Sequence, residues 1–329
     1  MDILIYGAGF SGLLLADNLT KKGHTVTVAE RDSKLKAICG CGIPTDSFVE
    51  IATKHGLNAE KYILWKSKRL VIDYRGHKIR LPMRGLCTFD KYSFMQDLNA
   101  HIVFNVNYGR GRSVPHGYDF VVDATGTRAL LGALPSDKTY VCYQVKAHFD
   151  KLPVEDFYMR FKHGVADGKY LWLFPLGENE AYVGCGSLNG VQAAAEVAAF
   201  VEKHQGVILE KMGRQLRVNL PSQSMPFFKV NGSTVIVGVG NSVGAISSFG
   251  EGNELASITA DLLAKNLSYN GLPTYQYEVV KRLNWLNNDY AFYDKINNGN
   301  YLSMFYRLAK VQRTFRKRLH VSMNPLSFF

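Results

Sequence analysis

Residues 3–31, ILIYGAGFSGLLLADNLTKKGHTVTVAER, restrict this chain more than any other stretch. Ile3, Leu4 and Ile5 form an apolar run suited to a buried parallel strand. Gly7, Gly9 and Gly12 follow as GxGxxG, where a strand would turn into a helix. The first glycine permits a tight turn, the second lets backbone approach a pyrophosphate, and the third lets the helix pack on the strand. Phe10 and Ser11 open that helix, whose free N–H groups suit phosphate oxygens. The helix continues through Leu13, Leu14, Ala16 and Leu19 and stops at Gly23. Residues 25–29 read as a second strand. Glu30 ends it with a carboxylate able to accept both hydroxyls of an adenosine ribose, and Arg31 follows. NAD and FAD both satisfy this pattern, as does a glycine turn that only packs a βαβ unit.

With 329 residues the chain can bury a large core and is expected to hold two closely packed parts. Its composition, 47% hydrophobic and 20% charged, is that of a soluble globular protein. No run of about 18 apolar residues suggests a membrane span. The N-terminus lacks a signal-peptide layout, so a cytoplasmic location is expected. The five cysteines are odd in number and scattered, which argues against a disulfide framework. Cys39 and Cys41 are spaced CxC without a second pair, and no histidine pairs tellingly, so no metal site or triad is expected. The net charge of +11 admits nucleic acid, an anionic membrane surface or an acidic substrate as partner. The excess peaks at Arg307, Lys310, Arg313, Arg316, Lys317 and Arg318. A solvated helix face is the plain reading. No named nucleic-acid motif is present, and a peripheral membrane contact is the alternative.

Further along, residues 46–55 and 90–99 read as helices, and 69–74 with 77–81 as a hairpin. Residues 118–126, YDFVVDATG, read as a buried strand closing on the small-residue turn Ala124, Thr125, Gly126; Asp123 admits a purely structural role. From residue 140 the texture changes to strands at 141–149, 156–161, 170–174 and 181–186, with a helix at 192–202. Residues 234–238, TVIVG, return to a buried strand, and a helix follows from about 251 to 266. Beyond Gly271-Leu-Pro273 the chain reads as helical. The pattern predicts an α/β protein: a Rossmann-like nucleotide domain at 1–139 plus 221–270, an inserted antiparallel-sheet substrate domain at 140–220, and a helical segment at 271–329. Only one nucleotide fold is visible; Gly109-Arg-Gly111 and Gly184-Cys-Gly186 lack the pattern of a second.

Three further stretches carry a resemblance. Tyr170-Leu-Trp172-Leu-Phe174-Pro175, followed by Gly184-Cys-Gly186, resembles the YxWxFP…GxG motif of the geranylgeranyl reductase family. Cys39-Gly40-Cys41-Gly42 is similar to that family's CGxG segment. Residues 240–252, with Asn241 near the start and Gly250-Glu251-Gly252 at the end, are similar to its GDxxG…GEG motif. The family belongs to the p-hydroxybenzoate hydroxylase-like FAD enzymes and saturates prenyl double bonds in lipids. The resemblance implies FAD as cofactor, a prenylated lipid as substrate, and an external electron donor, ferredoxin or NAD(P)H. It implies that Cys39 lies beside the flavin and that Gly250, Glu251 and Gly252 contact it. Asn241 departs from the pattern, standing where the family has an aspartate. A flavin monooxygenase or halogenase of the same fold is the alternative.

Reducing an isolated alkene requires a hydride donor at one face, a proton source and a dry channel. Strand alternation places Tyr170, Trp172 and Phe174 on one face, as an aromatic wall or as ordinary core. Cys39 is the candidate for flavin tuning or protonation, since an ordinary thiol, with a pKa of about 8.5, keeps its proton at neutral pH. Gly250 and Gly252 flank Glu251 at a helix start, where N–H groups stabilise negative charge; Glu251 can instead cap the helix.

Overall fold

The N-terminal stretch folds as strand, turn, helix and strand in a computed structural model that describes residues 1–32, 35–36, 39–74, 76–100, 104–106, 117–161, 170–187 and 190–297. β1 (Asp2–Tyr6), α1 (Phe10–Thr20) and β2 (Thr25–Glu30) lead to β3 (Gly42–Pro44) and α2 (Thr45–Lys54). A long hairpin, β4 (Ile63–Tyr74) and β5 (His77–Phe89), precedes α3 (Lys91–Asn99), β6 (Phe104–Val106) and β7 (Phe120–Asp123). Next come β8 (Lys138–His148), β9 (Phe157–Phe161), β10 (Tyr170–Pro175), β11 (Glu180–Ser187), α4 (Gly190–Lys203) and β12 (Val207–Val218). The chain returns through β13 (Phe228–Asn231) and β14 (Thr234–Gly238) to α5 (Asn253–Asn266), α6 (Leu272–Arg282) and α7 (Leu286–Asn297).

These strands form two sheets. The first runs β13-β14-β7-β1-β2-β6 and is parallel except at the β13 edge. Its central strands are apolar on both faces, as a sheet covered on both sides requires. α1 is buried at Phe10 and from Gly12 through Leu19, with Asn18 donating to Asp261 of α5 at 2.8 Å. Each of its buried leucines contributes about 2 kcal/mol. The second sheet runs β12-β8-β11-β10-β9-β4-β5-β3, antiparallel except where β4 meets β9. α4 covers one face, packing Val197 and Phe200 against Leu171, Leu173 and Val183.

The α/β class, the parallel nucleotide sheet, the largely antiparallel second sheet and the C-terminal helices match the reading of the sequence. The second sheet, however, reaches beyond 140–220, because the 63–89 hairpin and β3 complete it. β12 was not visible in the sequence; its exposed positions mix Val207 and Leu209 with Glu210, Lys211, Arg214 and Gln215, so no alternation marks it. Glu251 lies before the first turn of α5, which Gly252 caps without a side-chain bond.

The two Rossmann glycines with tight neighbours have steric reasons. A Cβ on Gly7, whose φ is +106°, would lie 2.6 Å from the Ala124 carbonyl oxygen; one on Gly12 would lie 2.0 Å from that of Gly7. Asp123 is fully buried at the end of β7 and organises the turn that meets them. Its Oδ1 accepts from the Thr125 N–H and hydroxyl at 3.2 and 2.6 Å and from the Ser242 hydroxyl at 3.0 Å. Its Oδ2 accepts from the N–H groups of Leu130 and Leu131 at 2.8 and 3.0 Å. Asp123→Asn turns one of these oxygens into a donor facing donors. Urea unfolding is expected to show a loss of about 2–3 kcal/mol; a change under about 1 kcal/mol would contradict the structural role of this carboxylate.

Candidate functional site

A single cavity connects the glycine turn with the second sheet. At one end it is lined by Gly9, Phe10 and Ser11 from the start of α1, by Ala124 and Gly126 after β7, and by Asn241. At the other end stand Tyr170, Trp172 and Phe174 of β10, with Gly186 of β11. Cys39, Gly40, Lys91, Gln144 and Asn253 lie along the wall.

The first end has the features of a diphosphate seat. A Cβ on Gly9 would meet no atom within 4 Å, so backbone is open to the cavity there. α1 starts without a side-chain cap, which leaves N–H groups at its positive end. Glu30 holds the turn by accepting from the Ala8 N–H at 2.8 Å. Arg214 of β12 reaches across, its Nη2 lying 2.9 Å from where a Cβ on Gly126 would be. Asn241 donates its amide to the Arg217 carbonyl at 2.8 Å, while its buried Oδ1 has no partner. An unpaired buried carbonyl is costly, and it suits a ligand hydroxyl. A dinucleotide fits this donor and acceptor set.

The second end explains the spacing of the aromatic stretch. Tyr170, Trp172 and Phe174 face the cavity, while Leu171 and Leu173 pack in the core under α4. Trp172 pairs across the sheet with Gly184, and Tyr170 with Gly186. A Cβ on Gly184 would lie 2.1 Å from the Trp172 ring, so this glycine makes room for the indole. Gly40 also approaches the wall, at 3.0 Å from the Phe174 ring by the same measure. Tyr170 donates its hydroxyl to the Phe249 carbonyl, and burial holds its phenol well above the usual tyrosine range. Trp172 donates to Gln144 Oε1 at 3.2 Å, and Gln144 donates to the Cys39 carbonyl at 3.0 Å.

The two cysteines between these ends are unlike. Cys39 lines the cavity; Cys41 is buried behind it with φ +55°, an uncommon backbone for a residue with a Cβ. The Cys39 sulfur accepts from the Cys41 N–H at 3.3 Å and from the Asn253 amide at 3.5 Å. Lys91, itself buried, donates to Asn253 Oδ1 at 2.8 Å. Hydrogen bonding from the Cys41 thiol, aided by the Lys91 charge, holds Cys39 well below the usual thiol range. Cys41 is pushed well above it by the same bond and by burial. Against the expectation that Cys39 keeps its proton, these influences favour the thiolate on Cys39 and the hydrogen on Cys41.

Several residues expected at the site do not face the cavity. Gly7 and Gly12 pack the turn, and Gly184 lies under Trp172. Thr125 bonds Asp123, Pro175 offers its carbonyl to Thr88 at 2.6 Å, and Cys41 and Gly42 lie behind Gly40. The Arg31 side chain is exposed beside Asp32. Gly250 and Gly252 line the cavity, but Glu251 does not; its N–H donates to the Ser247 hydroxyl at 3.0 Å. The sequence reading missed Lys91, Gln144, Arg214 and Asn253, which no local motif marks. A His–carboxylate pair also exists, His55 Nδ1 with Asp17 at 2.5 Å, but neither residue lines the cavity. The C-terminal cations from Arg307 to Arg318 and Gly109-Arg-Gly111 lie outside the described residues. Among the described residues no group of metal-ligating side chains occurs, and no helix is long and apolar enough to cross a membrane.

No family model matches the chain, and no curated protein matches it in sequence. Solved structures do match in fold. A geranylgeranyl bacteriochlorophyll reductase-like protein from Thermoplasma acidophilum is 17% identical with a TM-score of 0.74, covering 90% of this chain and 87% of its own. The protein CtdE, solved with FAD and a substrate, is 13% identical with a TM-score of 0.67, covering 91% and 90%. A flavin-dependent brominase is 12% identical with a TM-score of 0.64, covering 95% and 90%. At these identities the likeness establishes a shared fold.

Two outcomes follow from the geometry. Gly9→Ala has room and an ordinary backbone, with φ −72°, so thermal unfolding should be unchanged within a few degrees. Its methyl group projects into the diphosphate seat, so binding of an adenine dinucleotide, followed by fluorescence quenching, should weaken at least about tenfold, or 1.4 kcal/mol. Equal affinity would remove the seat from this turn. Second, iodoacetamide at pH 7 should label Cys39 ahead of Cys142, the other cavity cysteine, which burial pushes up to about 11. Peptide mass spectrometry reads the order, and faster labelling of Cys142 would contradict the assigned charge states.

Proposed function

We propose that the chain is an FAD-dependent reductase that saturates carbon–carbon double bonds of prenyl chains of the geranylgeranyl type. The observation that carries this reading is the single cavity shared by the glycine turn and the aromatic wall. The solved structures of the same fold include a geranylgeranyl reductase-like protein and one bound to FAD, which supports the cofactor and the reaction class. The TM-score is 0.74 for the first and 0.67 for the second, so the reductase-like protein is also the nearer of these two in shape.

FAD supplies a hydride donor when bound and reduced. Gly9, Ser11 and Gly126, with the α1 N–H groups, hold its diphosphate, and Arg214 contributes the positive charge that Asn241 does not oppose. Asn241 Oδ1 accepts a cofactor hydroxyl. Tyr170, Trp172 and Phe174 exclude water and present an apolar face to an isoprenoid chain. Lys91 holds a proton at Nζ beside the same space and is the proton source, while the Cys39 thiolate tunes the local charge. The C-terminal cations make a peripheral contact with the lipid surface that presents the substrate.

The test is anaerobic. The chain is loaded with FAD, reduced with dithionite and given a geranylgeranyl lipid. Mass spectrometry should show a gain of two hydrogens per double bond, and Trp172→Ala should lower the yield at least about tenfold. No gain on the lipid would overturn the reading. Oxygen-dependent addition of an oxygen atom would assign the chain to the monooxygenases of this fold instead.

A further inference from the structure

We propose that Cys39 and Cys41 form a two-electron redox couple that closes to a disulfide at the cavity wall and passes electrons from an external dithiol to the cofactor. The closure itself stands on this chain alone; the transfer to a flavin rests on the FAD reading above.

The two side chains fold back over the one peptide that separates them. Residues two apart in a turned backbone lie within the roughly 4.4–6.8 Å between Cα atoms that a disulfide spans. Gly40 between them lets the chain fold tightly against Phe174. Each side chain turns back over the intervening peptide: the Cys39 sulfur meets the Cys41 N–H at 3.3 Å, and the Cys41 sulfur meets the Cys39 carbonyl at 3.3 Å. Cys41 is held at φ +55°, backbone strain of the kind that functional sites retain. Asn253 steadies the Cys39 sulfur and is itself held by Lys91, whose charge favours the attacking thiolate. Of the two, Cys39 is the one that faces the cavity, so it is the sulfur of the pair that an external dithiol and a cofactor can both reach.

The chemistry balances without a further reagent. In the forward step the Cys39 and Cys41 sulfurs bond to each other, the Cys41 S–H bond breaks, and the pair gives up two electrons. Oxidised isoalloxazine accepts both electrons and the released proton. An external dithiol then attacks the disulfide at Cys39, becomes a disulfide itself, and restores the thiolate and thiol after losing two protons, one of which returns to Cys41. A dithiol donor needs no second nucleotide fold, and it is a different class from ferredoxin or NAD(P)H.

The test has two arms. The cofactor-free full chain is treated with diamide, and its free thiols are counted and mapped by alkylation and peptide mass spectrometry. The expected count falls from five to three, with the peptide bearing Cys39 and Cys41 unalkylated and lighter by two hydrogens. Five remaining thiols, or a bridge from Cys39 to Cys142, would overturn the couple whether or not FAD binds. In the second arm the FAD-loaded chain is mixed anaerobically with dihydrolipoamide. The visible flavin band of the wild type should bleach at least tenfold faster than that of Cys41→Ser, while dithionite bleaches both alike. Equal rates with dihydrolipoamide would overturn the transfer. If the chain takes up no FAD, the reading of the cofactor fails and the first arm still decides the closure.

Discussion

The carboxylate of Asp123 holds together the parts of the molecule that have to meet. It sits where β7 ends, fully buried, and satisfies donors from its own loop and from Ser242 after β14. Ser242 in turn accepts from the Gly126 N–H at 3.2 Å. Two loops that are more than a hundred residues apart in sequence are thereby fixed against the glycine turn, where Gly7 leaves no space for a side chain. A buried charge persists only when its oxygens are fully bonded, so the local geometry of these loops is specified strongly. The mouth of the cavity at the glycine turn inherits that rigidity.

The far end of the cavity is built by a different device. There the second sheet places large rings opposite glycines, Trp172 over Gly184 and Tyr170 over Gly186. The rings lie against the sheet instead of standing away from it, and space remains above them. Both faces of β10 are apolar, but for separate reasons: one belongs to the core under α4, the other to the cavity.

What the sequence disclosed follows the range of the interactions. The βαβ unit was legible because its glycines, its apolar runs and Glu30 all act within thirty residues. The aromatic wall was legible because period-two alternation fixes which side chains share a face. The make-up of the second sheet was not, since the pairing of β4 with β9 joins residues about ninety apart and no local signal encodes it. Lys91 reads in sequence as one more surface lysine at a helix start. Only the fold buries it, brings Asn253 to it and turns Cys39 toward both. Arg214 is hidden in the same way, on an edge strand whose exposed positions mix apolar and polar residues without alternation.

The charge on Cys39 shows how far such placement alters chemistry. From composition alone a cysteine is a neutral thiol at physiological pH. Here the first influence is its neighbour two residues away, whose hydrogen bond favours the thiolate, and the second is Lys91, a contact made by the fold. The shift of Cys41 is in the opposite direction, which favours a proton on the sulfur turned away from the cavity. A group that presents a lone pair to the cavity while its partner keeps the proton is suited to attack sulfur and unsuited to protonate carbon. Lys91 stands on the same wall, and Asn253 between them bonds both its ammonium and the Cys39 sulfur, so the fold and not the local sequence sets the surroundings of this cysteine.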